Sequence, residues 1–278
     1  LLMLSLVLLG ILKTTAFALS RPLQAFLAAT RRAADGDFFW RISIPSPDEF
    51  GQMAEVFNHM TEKLIERDRV SRFVSDDMLT AIKGAEEKAL QPGGGKIETT
   101  VLFSDIRDFT TLSETFPPEA MVGMLNDYFT AMESCIQGNQ GAIVSFIGDA
   151  ILAHFPETPG LEPSAVRAAQ AAIGMRKALS IFNRSRQAKG LFSIRTGIGL
   201  AFGHVISGVF GSETGRLTHG LLGEPVDRAS ILESRSKQTK GSGIIIDDRV
   251  FRMVRKNFAS RRIPGSSDES YEMTMPSA

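Results

Sequence analysis

Val101–Thr110 reads VLFSDIRDFT, and Phe146–Phe155 reads FIGDAILAHF. Each couples a short apolar run to one aspartate, Asp105 in the first and Asp149 in the second. Val101, Leu102 and Phe103 have the composition of a buried strand, with Asp105 where that strand emerges. Gly148-Asp149 separates two apolar runs, Ala142–Ile147 and Ala150–Phe155, which is the pattern of a hairpin tip. If the two strands are neighbours, both carboxylates lie at one end of one sheet. Adjacent carboxylates repel unless a proton or a cation lies between them. A hard divalent ion accepts such a pair together with water and phosphate oxygens. The sharper expectation is a two-metal site for phosphate chemistry. The plainer one is a pair of solvated turn aspartates.

Composition narrows the function classes. The chain has 278 residues, with 31 basic and 31 acidic side chains, so no excess of positive charge points to a nucleic-acid partner. A single cysteine, Cys135, excludes an internal disulfide and agrees with a reducing compartment. His59, His154, His204 and His219 lack the spacing of a metal-ligand set. Opening on Leu1 rather than methionine, the chain is expected to be part of a longer protein.

FSDIRDFT followed by FIGDAILAHF resembles the catalytic domain of class III adenylate and guanylate cyclases. The resemblance extends from about Arg72 to the C-terminus. It implies an α+β, ferredoxin-like catalytic domain over residues 97–278. The apolar periodicity gives the same order, β-α-β-β-α-β. Pro117-Pro118-Glu119 opens a helix whose buried stripe is Met121, Leu125, Tyr128, Met132 and Ile136. Ser164–Gln187 reads as an Ala-rich helix, and Phe192–Phe210 as two strands around a turn. Glu224-Pro225 opens a further helix. Gln91–Lys96 (QPGGGK) reads as a linker, because no GK[ST] follows the glycines and no strand precedes them. GIGLAFG lacks the spacing of a dinucleotide fingerprint. No GGDEF string is present, which weighs against the related diguanylate cyclases.

The resemblance also implies chemistry. The ribose 3′-oxygen of a nucleoside triphosphate attacks the α-phosphorus and pyrophosphate leaves, with two Mg²⁺ or Mn²⁺ ions per site. Asp105 and Asp149 would bind both ions, and the main-chain carbonyl of Ile106 would complete one shell. Backbone N–H groups from Ile106 to Thr110, including that of Phe109, would cradle phosphates, and Thr110 would add its hydroxyl. Arg195 matches a family arginine that meets the triphosphate, as suits a bidentate guanidinium. Its alternative reading is a solvated edge-strand arginine.

Other positions depart from the family pattern. The lysine that reads adenine is replaced by Ser145, and its partner aspartate or threonine by Gly220. The asparagine that orients ribose is Asp227, and the arginine that steadies the pentavalent phosphorus is Ile231. Losing an oriented cation from a transition state costs about 3–4 kcal/mol. The expected substrate is ATP, with GTP as the alternative. The expected assembly is a homodimer, or a heterodimer with another cyclase chain that supplies the missing groups. A catalytically silent signalling module is the third possibility.

Upstream, residues 1–20 read as the C-terminal part of a transmembrane helix, with Lys13 near the interface and Arg21, Arg31 and Arg32 following on the cytoplasmic side. Pro22 starts a helix whose face is Leu23, Phe26, Leu27 and Thr30, ended by Gly36. Trp40–Pro47 is an extended connector, and Asp48 caps a second helix with Phe50, Met53, Phe57, Met60 and Leu64 along one seam. This arrangement over residues 21–72, with its RP, DEFG and FNHM elements, resembles a HAMP relay domain. Residues 73–96 would be a signalling helix and linker. The expected location is the cell membrane, with the catalytic domain in the cytoplasm.

Overall fold

The computed structural model describes residues 2–71, 93–212, 217–239, 241–264 and 269–275. The chain divides into two units, residues 1–74 and 75–278.

In the first unit, helix α1 (Leu2–Ala34) and helix α2 (Glu49–Ser71) flank an irregular connector. Pro22 lies inside α1 instead of starting it, so one helix runs from the apolar segment through the Arg21-Pro22 step. Among the described residues, no helix is long and apolar enough to cross a membrane. Gly36 ends the helix with φ 88°, a conformation glycine adopts without steric cost. The face packed toward α2 is Phe26, Ala29 and Ala33, meeting Ile42, Ile44, Ala54 and Phe57. Leu23 and Leu27 remain exposed, as do Met53 and Met60 of α2, so each helix carries a second apolar stripe beyond the one it buries. Asn58 fixes the connector through both backbone groups of Ile42, at 2.9 Å each. Asp48 caps α2, its Oδ1 accepting from the N–H groups of Phe50 and Gly51.

The second unit is built on strand β1 (Gly93–Ile106). Next come helix α3 (Phe109–Thr115), helix α4 (Pro118–Gln137), strand β2 (Ala142–Ile147), strand β3 (Ala150–Pro156) and helix α5 (Ser164–Ala188). Strand β4 (Thr196–Gly211), strand β5 (Leu217–Leu222), helix α6 (Glu224–Arg235), a 3-10 turn (Ser236–Gln238), strand β6 (Ile244–Asp247), helix α7 (Asp248–Val254), strand β7 (Ser260–Arg262) and strand β8 (Ser270–Met273) complete it. The sheet order is β2-β3-β1-β4-β6-β8-β7, with β5 also on β4. Its first four strands are antiparallel neighbours in the ferredoxin-like order.

The pleat sends alternate residues of β1 to two cores. Leu102 and Ile106 join Ile151, Ala153, Ile198 and Leu200 beneath α4 and α5. Val101 joins Leu152, Ala201 and Ile245 beneath α6. The buried stripe of α4 is Met121, Met124, Tyr128, Met132 and Ile136, with Leu125 only partly buried. Ala165, Ala168, Ala169, Ala171 and Ala172 let α5 lie close against the sheet.

Two expectations change. Phe192–Phe210 does not fold as two strands around a turn: β4 pairs continuously with β1, from Ile106↔Thr196 to Gly93↔Val209. Its glycines are not turn residues, because period-two spacing puts Gly197, Gly199 and Gly203 on one face and α6 lies on them. A Cβ on Gly199 would stand 2.0 Å from the Ala229 carbonyl oxygen, and one on Gly203 2.9 Å from Pro225 Cγ. The linker reading of Gln91–Lys96 is likewise overturned for Gly93–Lys96, which form the start of β1 against Ile206–Val209. There glycine faces glycine: a Cβ on Gly208 would stand 2.3 Å from the Gly93 carbonyl oxygen. The expected helix beyond Ser71 lies outside the described residues.

Candidate active site

The hairpin tip and the end of β1 bring the two aspartates together. β2 and β3 close at Ile147↔Ala150, leaving Gly148 (φ 65°) and Asp149 as the tip. β3 runs antiparallel to β1, with Ser104 opposite Ile151, so the tip lies beside Asp105 and Ile106. The Ile106 N–H donates to Asp149 Oδ2 at 3.2 Å. Burial first, then the hydrogen bond that its protonated form donates to Asp105 and the charge of Asp105, push Asp149 up to about 6. Below about pH 6 the pair therefore holds one proton in the absence of a cation.

Two adjacent hard oxygen donors at a half-exposed sheet end suit Mg²⁺ or Mn²⁺, which keep water and take phosphate oxygens. No cluster of three or more His, Cys, Asp or Glu side chains able to hold a metal occurs among the described residues. Any further ligands would be backbone carbonyl, water or substrate.

Beyond β1 the chain turns sharply. The Arg107 N–H donates to the Arg195 carbonyl at 2.7 Å. Asp108 takes φ 58°, ψ 28°, a left-handed conformation that costs a non-glycine residue about 1 kcal/mol. It starts α3, whose first turn leaves the N–H groups of Phe109 and Thr110 without intrahelical acceptors. Arg195 stands beside this turn, its guanidinium donating to Asp108 Oδ2 at 3.1 Å with both side chains largely exposed. Asp105, Ile106, Asp149, Phe109, Thr110 and Arg195 thus lie around one turn.

The remaining expected positions sit elsewhere on the unit. Ser145 is exposed beside a register shift in β2, its Oγ donating to the Phe146 carbonyl at 3.3 Å. Gly220 pairs with Gly208 in β5. Asp227 and Ile231 project one turn apart from α6, with Ile231 48% exposed. No hydrogen bond or ion pair among the described residues joins these four to the aspartates.

Arg107 is the residue that sequence reasoning passed over. Its guanidinium reaches under β4 to Glu233 Oε1 at 2.7 Å, to the Glu233 carbonyl at 3.2 Å and to the Ser236 hydroxyl. Burial raises Glu233 above the ordinary carboxylate range, and the charge of Arg107 opposes that rise. Gly197 makes room for the network, since a Cβ there would overlap Arg107, Glu233 and Ser236. The aspartate turn is thereby tied to α6, the helix carrying Asp227 and Ile231.

Residues 95–263 match the adenylate and guanylate cyclase catalytic domain. The chain belongs to that family. Residues 15–66 match the HAMP domain. The cyclase chain is 33% identical over 248 residues to an adenylate cyclase of Anabaena cylindrica, a match covering 84% of this chain and 48% of that protein. It is 29% identical to an adenylate cyclase of Rhizobium meliloti, covering 80% and 33% respectively. It thus spans a third to a half of the length of these curated relatives. Among solved structures, the cyclase unit is similar to an adenylyl cyclase of P. aeruginosa, with TM-score 0.59, 29% identity and coverage of 66% of this chain and 96% of that one. It is also similar to a guanylate cyclase domain from Catenaria anguillulae solved in complex with GTP, with TM-score 0.56, 28% identity and coverage of 65% and 98%.

Proposed function

We propose that this chain converts ATP to cyclic AMP and pyrophosphate at Asp105 and Asp149, with two divalent cations. The observation carrying this reading is the contact between the two carboxylates, with Asp149 raised to about 6 by burial and by Asp105, a repulsion that a cation would relieve. Bound Mg²⁺ or Mn²⁺ would neutralise the triphosphate and ease deprotonation of the ribose 3′-hydroxyl. Asp105, Asp149 and the Ile106 carbonyl would hold the ions. The first-turn N–H groups of Phe109 and Thr110 donate to phosphate oxygens, and Arg195 adds a bidentate cation. The 3′-oxygen forms a bond to the α-phosphorus, the bond from that phosphorus to the bridging oxygen breaks, pyrophosphate carries that oxygen away, and the hydroxyl proton passes to solvent. ATP is preferred over GTP because the two curated relatives above are named adenylate cyclases.

The assembly is a dimer in which a second copy covers Phe146, Ile147, Leu222 and Ile231, all large apolar residues exposed in the single chain. The exposed second stripe of Leu23, Leu27, Met53 and Met60 suits the same association in the HAMP unit, which would relay a signal to the catalytic unit. The N-terminal half of α1, with Leu8, Leu9, Ile11, Leu12 and Phe17 exposed, is the segment we assign to the cell membrane, leaving the catalytic unit in the cytoplasm. Recovery of the full chain in the membrane fraction checks this assignment, and a wholly soluble chain argues against it.

Ile231 and Asp227 favour a second reading, in which this chain is the metal-bearing subunit of a heterodimer. A partner domain carrying the lysine and arginine but lacking the aspartates would then raise product formation on mixing. An unchanged rate in the mixture removes the heterodimer.

A further inference from the structure

We propose that a cleft between the C-terminal half of α5, the start of β4, residues 236–239 and residues 241–243 is a metal-independent anion site that takes a phosphate chain. The cleft measures about 890 Å³, and neither Asp105 nor Asp149 lines it. Arg107, Arg176, Arg184, Arg195 and Lys237 do, against Asp108 alone among the described carboxylates. Two of these cations are already committed: Arg107 to Glu233, and Arg195 to Asp108. The other three have no carboxylate within ion-pairing distance among the described residues.

Arg176 is the anchor. Its Nη1 donates to Thr196 Oγ1 at 3.0 Å and its Nη2 to the Gly243 carbonyl at 2.9 Å, both neutral acceptors. Its Nε is buried with no hydrogen-bond partner. Of the acidic groups that influence it, Tyr128 is a buried phenol, and Glu233 and Glu272 are paired with Arg107 and Arg261. Taking a guanidinium out of water without a counter-ion costs free energy that a bound anion returns. Burial pushes Arg176 down to about 10, so it keeps its charge at neutral pH. Arg184 and Lys237 are exposed and line the same cleft, where they add two cations to the one that Arg176 supplies. Planar guanidinium groups on several walls match the tetrahedral oxygens of a phosphate chain. The ligand is free pyrophosphate or the phosphate chain of a nucleotide.

The test uses the full chain carrying Asp105→Asn and Asp149→Asn, in EDTA, so that nothing depends on cation-bridged binding at the aspartates. Calorimetric titration with inorganic pyrophosphate should show saturable binding. Adding Arg184→Ala and Lys237→Ala should weaken it roughly tenfold, with thermal unfolding unchanged. Tighter binding of ATP than of pyrophosphate would assign the cleft to a nucleotide, and equal or weaker binding to the free anion; both support the site. Absence of saturable binding, or equal affinity with and without Arg184 and Lys237, overturns it. Cyclic nucleotide formation by the wild-type chain is a separate readout, so failure of the catalytic reading does not enter this result.

Discussion

At the residue scale, the pH behaviour of the carboxylate pair follows from Asp149. Its carboxyl is raised from 3.8 to about 6, so between those values the folded chain holds a proton that the unfolded chain has lost. Stability of the metal-free protein therefore falls as pH rises through that window. Asp149 is only partly buried, and solvent screening leaves an effect on the order of 1 kcal/mol. Asp149→Asn should raise the Tm of the metal-free chain above pH 6, while Mn²⁺ should stabilise the wild type more than the variant. Scanning calorimetry with and without Mn²⁺ checks both, and equal Mn²⁺ shifts would count against the carboxylate pair as ligands. Asp108 supplies a second prediction. Held at φ 58° and paired with Arg195 at 3.1 Å, it presents a negative charge where phosphate is expected. Asp108→Gly removes that charge and suits the backbone, so the KM for nucleotide should fall with kcat nearly constant. A higher KM would show that Asp108 helps to hold Arg195 in place.

At the scale of elements, β4 and α6 are the pair to perturb. Gly199→Ala puts a methyl group 2.0 Å from the Ala229 carbonyl oxygen and 2.6 Å from the Glu233 nitrogen, both backbone atoms that cannot rotate away. Helix α6 must lift, at a cost of roughly 1–3 kcal/mol. Urea unfolding should show the loss, and a neutral result would mean that α6 sits less closely than the glycine track indicates. The same elements mark what the sequence made legible. Local patterns revealed the hairpin at Gly148-Asp149, the stripe of α4 and the Ala-rich α5, because period and turn chemistry involve near neighbours. From sequence alone glycine signals a turn, so Phe192–Phe210 reads as two strands, whereas in β4 glycine accommodates a helix packed from outside the strand. Gly93–Lys96 reads as a linker for a similar reason, since its partner glycine, Gly208, lies far along the chain. Arg107 and Glu233 are joined only by the crossing of β4 beneath α6, and no local spacing announces that contact.

At the scale of the whole molecule, the aspartate turn and the face of α6 that carries Asp227 and Ile231 are separate parts of the catalytic unit. Ile231→Arg combined with Asp227→Asn should raise kcat by about a hundredfold, the value of one oriented cation, with less change in KM. Steady-state kinetics checks it, and an unchanged kcat would mean that α6 does not reach the reacting phosphate. The central claim is turnover itself. The most direct test is cyclic nucleotide formation by the full chain in Mn²⁺, with ATP and separately with GTP, beside Asp105→Ala. Cyclic AMP should form from ATP and disappear in the variant; product no greater than that of the variant, with either nucleotide, would mean that this chain does not turn over.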